Sequence, residues 1–263
     1  MNIQLFNQLI QEHGFKPLNF FNIDFAGNQY VQEKTKKKTF ILHDSAGWDD
    51  ARGMYNGWAK DKLGRVSTAY GIEDEGEIYR GFNADYYGFA IYVHSPHNHL
   101  PKRLQKFKTK QHDVFLNSQA IQAEVCNWSW LKEKGNDFFS YTGIKIPPHK
   151  VAYYKDDNLF KNGYRGKNAY EKITDAEINA LQVLIMYHAL KDDLRLTYNF
   201  DMWDISERAI RGAEGIWSHT SFRTDKFDIH PQAELVSMLM RVEDDFHKIF
   251  SQKNIELIKN EKK

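Results

Sequence analysis

This chain has one cysteine, no long apolar run and no charge excess, and each scarcity removes a class of protein. The lone Cys126 rules out an intramolecular disulfide in the 263 residues, so the fold cannot depend on an oxidising compartment. Nothing approaches the roughly eighteen uninterrupted apolar residues of a membrane-spanning helix, and no transmembrane segment is expected. The start, Met1-Asn-Ile-Gln-Leu-Phe-Asn-Gln-Leu-Ile-Gln-Glu12, lacks the basic opening and apolar core of a signal peptide. Synthesis and folding in the cytoplasm are therefore expected, with action elsewhere only after release by another agent. Lysine and arginine number 36 against 35 aspartates and glutamates, a formal net charge of +1. Nucleic-acid recognition normally needs a clear basic excess, so no such partner is expected and any anionic ligand must be met locally.

What is present fits one α/β domain over residues 1–263 with long loop insertions, since such a domain absorbs this length without a second core. The aromatic share of 14% is high enough to furnish aromatic-lined grooves. Ile3, Phe6, Leu9 and Ile10 recur at helical spacing over 2–12, and His13-Gly14 ends that helix. Lys34 to Lys38 reads as a solvated basic turn. Thr39 to His43 reads as a buried strand, 49–60 as a helix with Asp49 and Asp50 at the positive end of its dipole. Val66–Ile72 and Glu77–Phe82 form a hairpin about an acidic turn closed by Gly76.

Tyr86 to His94 has strand composition, and Ala120 to Trp128 is a strand in which Ile121, Ala123 and Val125 alternate with Gln122, Glu124 and Cys126. Residues 95–117 read as an inserted loop and 131–170 as a second irregular excursion. Thr174-Asp-Ala-Glu177 is a capping box opening a helix over 175–192. A short helix is expected over 205–213. A final amphipathic helix runs from Pro231 to Phe250, with proline in its first turn, and a charged, frayed tail over 251–263 follows.

The chemistry concentrates in Trp217-Ser-His-Thr-Ser-Phe-Arg-Thr-Asp-Lys-Phe-Asp-Ile-His-Pro231 and in Ile41-Leu-His43-Asp-Ser-Ala-Gly47. A hydrolytic zinc site takes three protein ligands and leaves one position for water, and His43, His219 and Asp228 meet that count. Lys226, two residues before Asp228, is placed to act as a fixed positive charge beside the substrate carbonyl.

Strand-His43, Ser67-Thr-Ala-Tyr-Gly-Ile72 with Gly76-Glu-Ile-Tyr79, Ile121-Gln-Ala-Glu124-Val-Cys-Asn-Trp128, then His219 and Lys226-Phe-Asp228 follow one another in an order that resembles the zinc-dependent N-acetylmuramoyl-L-alanine amidases of type 2. The resemblance spans about residues 39–245. It implies the fold shared with peptidoglycan-recognition proteins, a central mixed β-sheet flanked by helices. It also implies one zinc ion on His43, His219 and Asp228, an acid/base role for Glu124 from a Gly-Ile-Glu motif, and Lys226 as the lysine two positions before the third ligand. The activity implied is hydrolysis of the amide between N-acetylmuramic acid and L-alanine in peptidoglycan, as in a bacteriophage endolysin. Two departures stand out. Asp228 is followed by Ile229, His230 and Pro231 rather than Pro-Gly, which makes His230 a competing ligand. Thr68 and Ala69 stand where many members carry Tyr-His or Ala-His.

Each residue also has a plainer reading. His43 can be a structural histidine, Glu124 an outward solvated residue, Lys226 a surface partner of Asp225 or Asp228, and Cys126 a small buried apolar group. His94-Ser-Pro-His97-Asn-His99, beside Lys102, Arg103, Lys106 and Lys108, reads as a solvated basic loop rather than a second metal site. Two other functions stay open at this stage: a non-catalytic peptidoglycan-binding module of the same fold, and a zinc amidase acting on a different amide.

Overall fold

The first helix, α1 (Ile3–Glu12), begins where the Asn2 side chain accepts from the Leu5 amide at 2.9 Å, and its buried stripe is Phe6 and Ile10, one turn apart. The protein is described from a computed structural model over residues 1–61, 66–154 and 162–259. Strands β1 (Phe20–Asn22) and β2 (Tyr30–Val31) lead to β3 (Thr39–Asp44), all of whose residues are buried. Asp50 caps α2 (Ala51–Lys60), and the hairpin of β4 (Tyr70–Ile72) and β5 (Ile78–Arg80) follows as expected.

The expected strand over Tyr86 to His94 shrinks to β6 (Tyr87–Gly88), paired with β2. The expected loop over 95–117 is largely helical: a 3-10 turn at Lys102–Phe107 precedes α3 (Lys110–Ser118), whose first amides are capped by Thr109. Reading this basic stretch as solvent-facing overlooked Leu104 and Leu116, which are buried in the core. The Lys34–Lys38 turn also differs from expectation at one residue. Lys37 is buried and its Nζ donates to Tyr86 O, Ser118 O and Thr35 Oγ1 at 2.7, 3.1 and 2.9 Å.

Strand β7 (Ala120–Val125) is buried on both faces. The excursion after it folds a small antiparallel sheet of β8 (Lys132–Lys134), β9 (Asp137–Phe139) and β10 (Lys145–Ile146). Next, β11 (Val151–Tyr153) pairs with β12 (Ala169–Glu171); residues 155–161 of that excursion lie outside the described residues.

The capping box forms as read: Thr174 Oγ1 accepts from Glu177 N at 3.1 Å and Glu177 Oε2 from Thr174 N at 2.7 Å, opening α4 (Asp175–Asp192). Helix α5 (Glu207–Ile210) and β13 (Gly215–Ser218) precede α6 (Ala233–Ile249). Pro231 lies outside α6, because Gln232 is the cap and its amide pairs with both backbone groups of Ile173. Nor is α6 the last helix. The tail forms α7 (Gln252–Lys259), anchored by buried Ile258, whose carbonyl accepts from Asn2 N at 2.8 Å; residues 260–263 lie outside the described residues.

The central sheet has the order β1-β5-β4-β7-β3-β13. It is mixed: β4, β7, β3 and β13 run parallel in turn, and the β4–β5 pair is antiparallel. Helices flank it, which is the α/β architecture expected. Alternation along the strands separates two faces. Phe40 and Tyr70 meet His188 of α4 on one side, with ring centroids 6.3 and 5.5 Å away. On the other side His43 pairs with Glu124, Ile41 with Gln122, and Gly71 also with Glu124. Gly71 lets α2 close on this face, since a Cβ there would stand 3.0 Å from both Ala51 Cβ and Met54 Cε. Among the described residues no helix is long and apolar enough to cross a membrane.

Candidate metal centre

Four parallel strands deliver their carboxyl ends to one edge of the sheet, where open α/β sheets commonly hold ligands. His43 is the penultimate residue of β3, Glu124 lies beside it on β7, and His219 directly follows β13, whose Ser218 pairs with Leu42. The loop after His219 folds back so that the Asp228 carbonyl accepts from Thr220 N at 3.1 Å. Asp228 thereby returns beside His219 although nine residues separate them.

His43, His219 and Asp228 are all buried and form a group whose side chains can hold a metal ion. The facing atoms are His43 Nδ1, His219 Nδ1 and Asp228 Oδ2, with separations of 3.0, 2.8 and 3.5 Å. Three ligands at ~2.0–2.1 Å from one tetrahedral ion sit roughly 3.3 Å from each other. The triangle is thus of the size that a zinc-like ion requires.

Proton placement makes the same point. His43 Nε2 lies 3.0 Å from Gln122 Oε1 and His219 Nε2 lies 3.1 Å from Ile91 O. Both partners only accept, so each Nε2 carries the proton. A neutral imidazole then has a lone pair at Nδ1, and two such lone pairs face each other across 3.0 Å with a carboxylate alongside. Burial lowers the pKa of His219 to about 3, which keeps it neutral. Burial also opposes ionisation of Asp228, but the positive charge of Lys226 favours it, and the carboxyl stays well below the usual range. Two imidazole nitrogens and one carboxylate, each ring oriented from behind by an oxygen, are the donor set of a divalent metal.

The surrounding charges agree. Burial first, then Asp228 and Asp44, push Glu124 well above the ordinary carboxylate range, with Lys226 opposing. Burial and Asp228 act likewise on Asp44. Glu124 Oε2 and both Asp44 carboxylate oxygens have no hydrogen-bond partner among the described residues. Unpartnered buried carboxyl groups are costly, and positive charge brought to the neighbouring His43, His219 and Asp228 group would lower that cost.

These residues line a cleft of about 730 Å³, walled also by Trp58, Tyr92, His97 and Arg223. Lys226 opens onto it and makes no ion pair among the described residues. Asp225, its expected surface partner, is held by Arg223 at 2.6 Å instead. Glu124 is 5% exposed, which removes the reading of it as a solvated outward residue. Another hollow of about 730 Å³, between residues 14–21 and α4, carries Lys16, Glu75 and Glu77 but, among the described residues, no group able to hold a metal.

His230 is not brought to this group. Its Nε2 donates to Glu171 O at 2.9 Å, its Nδ1 accepts from Tyr154 Oη at 2.7 Å, and its ring stacks on Tyr170 at 4.8 Å. Thr68 is buried with its hydroxyl on Tyr70 O at 3.1 Å, outside the cleft lining. Cys126 is fully buried, and burial pushes its thiol up. In the His94 cluster His97 and His99 are exposed, while His94 Nδ1 pairs with Asp113 on α3. Gln122 and the Ile91 carbonyl escaped the sequence reading. Only the position of Gln122, two residues before Glu124 on one strand face, could have pointed to it.

No family model matches the chain, and no curated protein matches it. Among solved structures it is similar to that of PlyL, with 10% identity and a TM-score of 0.46 over 86% of this chain and 97% of that one. It is similar to the PlyG catalytic domain, with 11% identity and a TM-score of 0.45 over 86% and 94%. It is also similar to the endolysine N-acetylmuramoyl-L-alanine amidase LysCS from Clostridium intestinale URNW, with 11% identity and a TM-score of 0.44 over 86% and 95%.

Proposed function

We propose that the protein is a zinc-dependent amidase that hydrolyses the bond between N-acetylmuramic acid and L-alanine in peptidoglycan, a wall-lysing enzyme of the endolysin kind acting after release from the cytoplasm, with residues 1–263 as one catalytic domain. The observation that carries the metal is the convergence of His43 Nδ1 and His219 Nδ1, 3.0 Å apart, beside the Asp228 carboxylate. The bond specificity rests on the ordered resemblance of residues 39–245, on which His43, His219, Asp228, Glu124 and Lys226 were picked out.

His43, His219 and Asp228 would hold one zinc ion, which when bound supplies Lewis acidity and an activated water. Asp228 offsets part of the ion's charge. Glu124 lines the cleft and its Oε2 has no hydrogen-bond partner among the described residues; the carboxylate takes up the water's proton and returns it to the leaving amine. Lys226 meets the negative charge that develops on the scissile carbonyl oxygen. The aromatic walls at Trp58 and Tyr92 exclude water from the bound chain.

Metal analysis with digestion of defined muropeptides tests this reading. One zinc per chain and products carrying a free L-alanine amino terminus are expected, both lost in His43→Ala, His219→Ala and Asp228→Ala. Wall lysis that is indifferent to chelation and zinc restoration would overturn the mechanism. Binding to purified walls without cleavage would identify a binding module, and product masses from another bond would reassign the substrate.

A further inference from the structure

Behind the two histidines lies a buried amide network. Gln122 sits on β7, two residues before Glu124 and on the same face, with Oε1 3.0 Å from His43 Nε2. The amide cannot present its other end, because Gln122 Nε2 already donates to Asn117 Oδ1 at 3.0 Å and points to Gly88 O at 3.3 Å. Asn117 of α3 is fixed in its turn. Its Nδ2 donates to Asp113 O at 2.8 Å, and its Oδ1 accepts from the amides of Ala90 and Ile91 at 3.1 and 3.3 Å. The Ile91 carbonyl then receives His219 Nε2 at 3.1 Å.

One buried pair of carboxamides therefore reaches both imidazoles, His43 through the Gln122 side chain and His219 through the backbone of Ile91. Gln122 and Asn117 are 3% and 0% exposed, so no water competes for these bonds. In the Gly-Ile-Glu motif that this strand resembles, the place of Gln122 is a glycine, which has no side chain for the task.

We infer that Gln122 and Asn117 are positioning residues that keep the proton of His43 on Nε2, leaving Nδ1 with a free lone pair for the metal. The inference rests on the reading of His43, His219 and Asp228 as a metal centre. Without the Gln122 oxygen the ring has a competing choice. Its Nδ1 lies 3.0 Å from His219 Nδ1 and 3.5 Å from Asp228 Oδ2, and a proton moved there donates to one of them. That tautomer closes the metal site with an internal hydrogen bond.

The test uses Gln122→Met, close in size but without the amide, and Asn117→Ala as a second variant. Long-range proton–nitrogen NMR of the metal-free chain reports the His43 tautomer, its signals identified by their loss in His43→Gln, and amide dispersion in the same samples shows that each variant is folded. The wild type is expected to carry the His43 proton on Nε2, and both variants to show a population protonated at Nδ1. Zinc competition titrations are expected to show affinity 10–100-fold weaker in both, at unchanged stoichiometry. A folded Gln122→Met chain that keeps His43 wholly protonated at Nε2, with wild-type zinc affinity, overturns the inference. A wild type that binds no zinc overturns the metal reading instead, and the tautomer measurement still decides whether the amide pair holds the ring.

Discussion

Two buried histidines eleven residues apart, His219 and His230, are assigned opposite work, and His230→Ala separates them. The substitution removes hydrogen bonds to Glu171 O and Tyr154 Oη and the stack on Tyr170. Two such bonds contribute about 1 kcal/mol each, and the ring-sized void adds a cavity term, so the total is roughly 3–5 kcal/mol, as for other large-to-small core changes. The cost has a sign in pH. Burial lowers His230 to about 4, so the folded chain keeps it neutral where the unfolded chain, at about 6.5, already binds a proton. Its contribution is full above pH 6.5 and is lost as pH falls toward 4, about 3 kcal/mol over that interval at 1.36 kcal/mol per unit. Urea unfolding of chelated protein at pH 7.5 and pH 4.5 should show a large stability deficit in His230→Ala at the first pH and a much smaller one at the second. Zinc content at pH 7.5 should remain one per chain. Loss of zinc with stability intact, or a deficit equal at the two pH values, would refute the assignment and return His230 to the metal.

Three further outcomes follow from the same geometry. Glu124→Gln is nearly isosteric at an unpartnered oxygen, so zinc content should hold while muropeptide cleavage falls by about 10²–10⁴-fold, the usual span for a lost acid/base group; zinc loss in this variant would make Glu124 part of the metal site. Lys226→Met should lower kcat by about 10²–10³-fold without changing zinc affinity more than a few-fold, checked by steady-state kinetics beside zinc titration. Glu177 sits buried in the α4 capping box with Oε1 unpartnered, and burial raises it to about 8. The folded chain then holds a proton that the unfolded chain releases near 4.5, so stability is lost as pH rises from about 4.5 to 8. Glu177→Gln keeps a residue that still closes the box and should gain on the wild type across that window, by up to about 5 kcal/mol at 1.36 kcal/mol per unit. Denaturation midpoints that differ by the same amount at pH 5 and pH 8 would exclude this.

Those parts of the fold with a local cause were legible in the residues. The Thr174 box fixes the start of α4 through two short-range hydrogen bonds, and Gly76 closes its hairpin through a turn that needs positive φ, here +79°. What escaped has a common cause, burial conferred by distant partners. Lys37 reads as solvated because its acceptors, Tyr86 O and Ser118 O, lie about fifty and eighty residues away. Residues 110–118 read as loop because their composition is polar, yet Asp113 and Asn117 are buried by the bonds they make to the 90–94 segment and Gln122.

The same division runs through the metal centre. The ligands are marked by residue type and by the ordered resemblance: His43 reads as the end of a strand, but no strand is read before His219, so β13, which delivers it, escapes the sequence. The groups that make His43 and His219 usable ligands are an amide and a backbone carbonyl, which carry no such chemical signature. Their proposed function lies in direction alone: Gln122 Oε1 and Ile91 O each stand at the far side of a ring, and a proton held there would leave Nδ1 to face a metal. A sequence displays donors, whereas the proton positions that make them donors are set by contacts between segments dozens to more than a hundred residues apart. For this chain the weight of the metal assignment therefore falls on the orientation of two imidazoles rather than on the presence of two histidines. A chain with His43, His219 and Asp228 intact but Gln122 or Asn117 replaced would read the same by motif and bind metal differently.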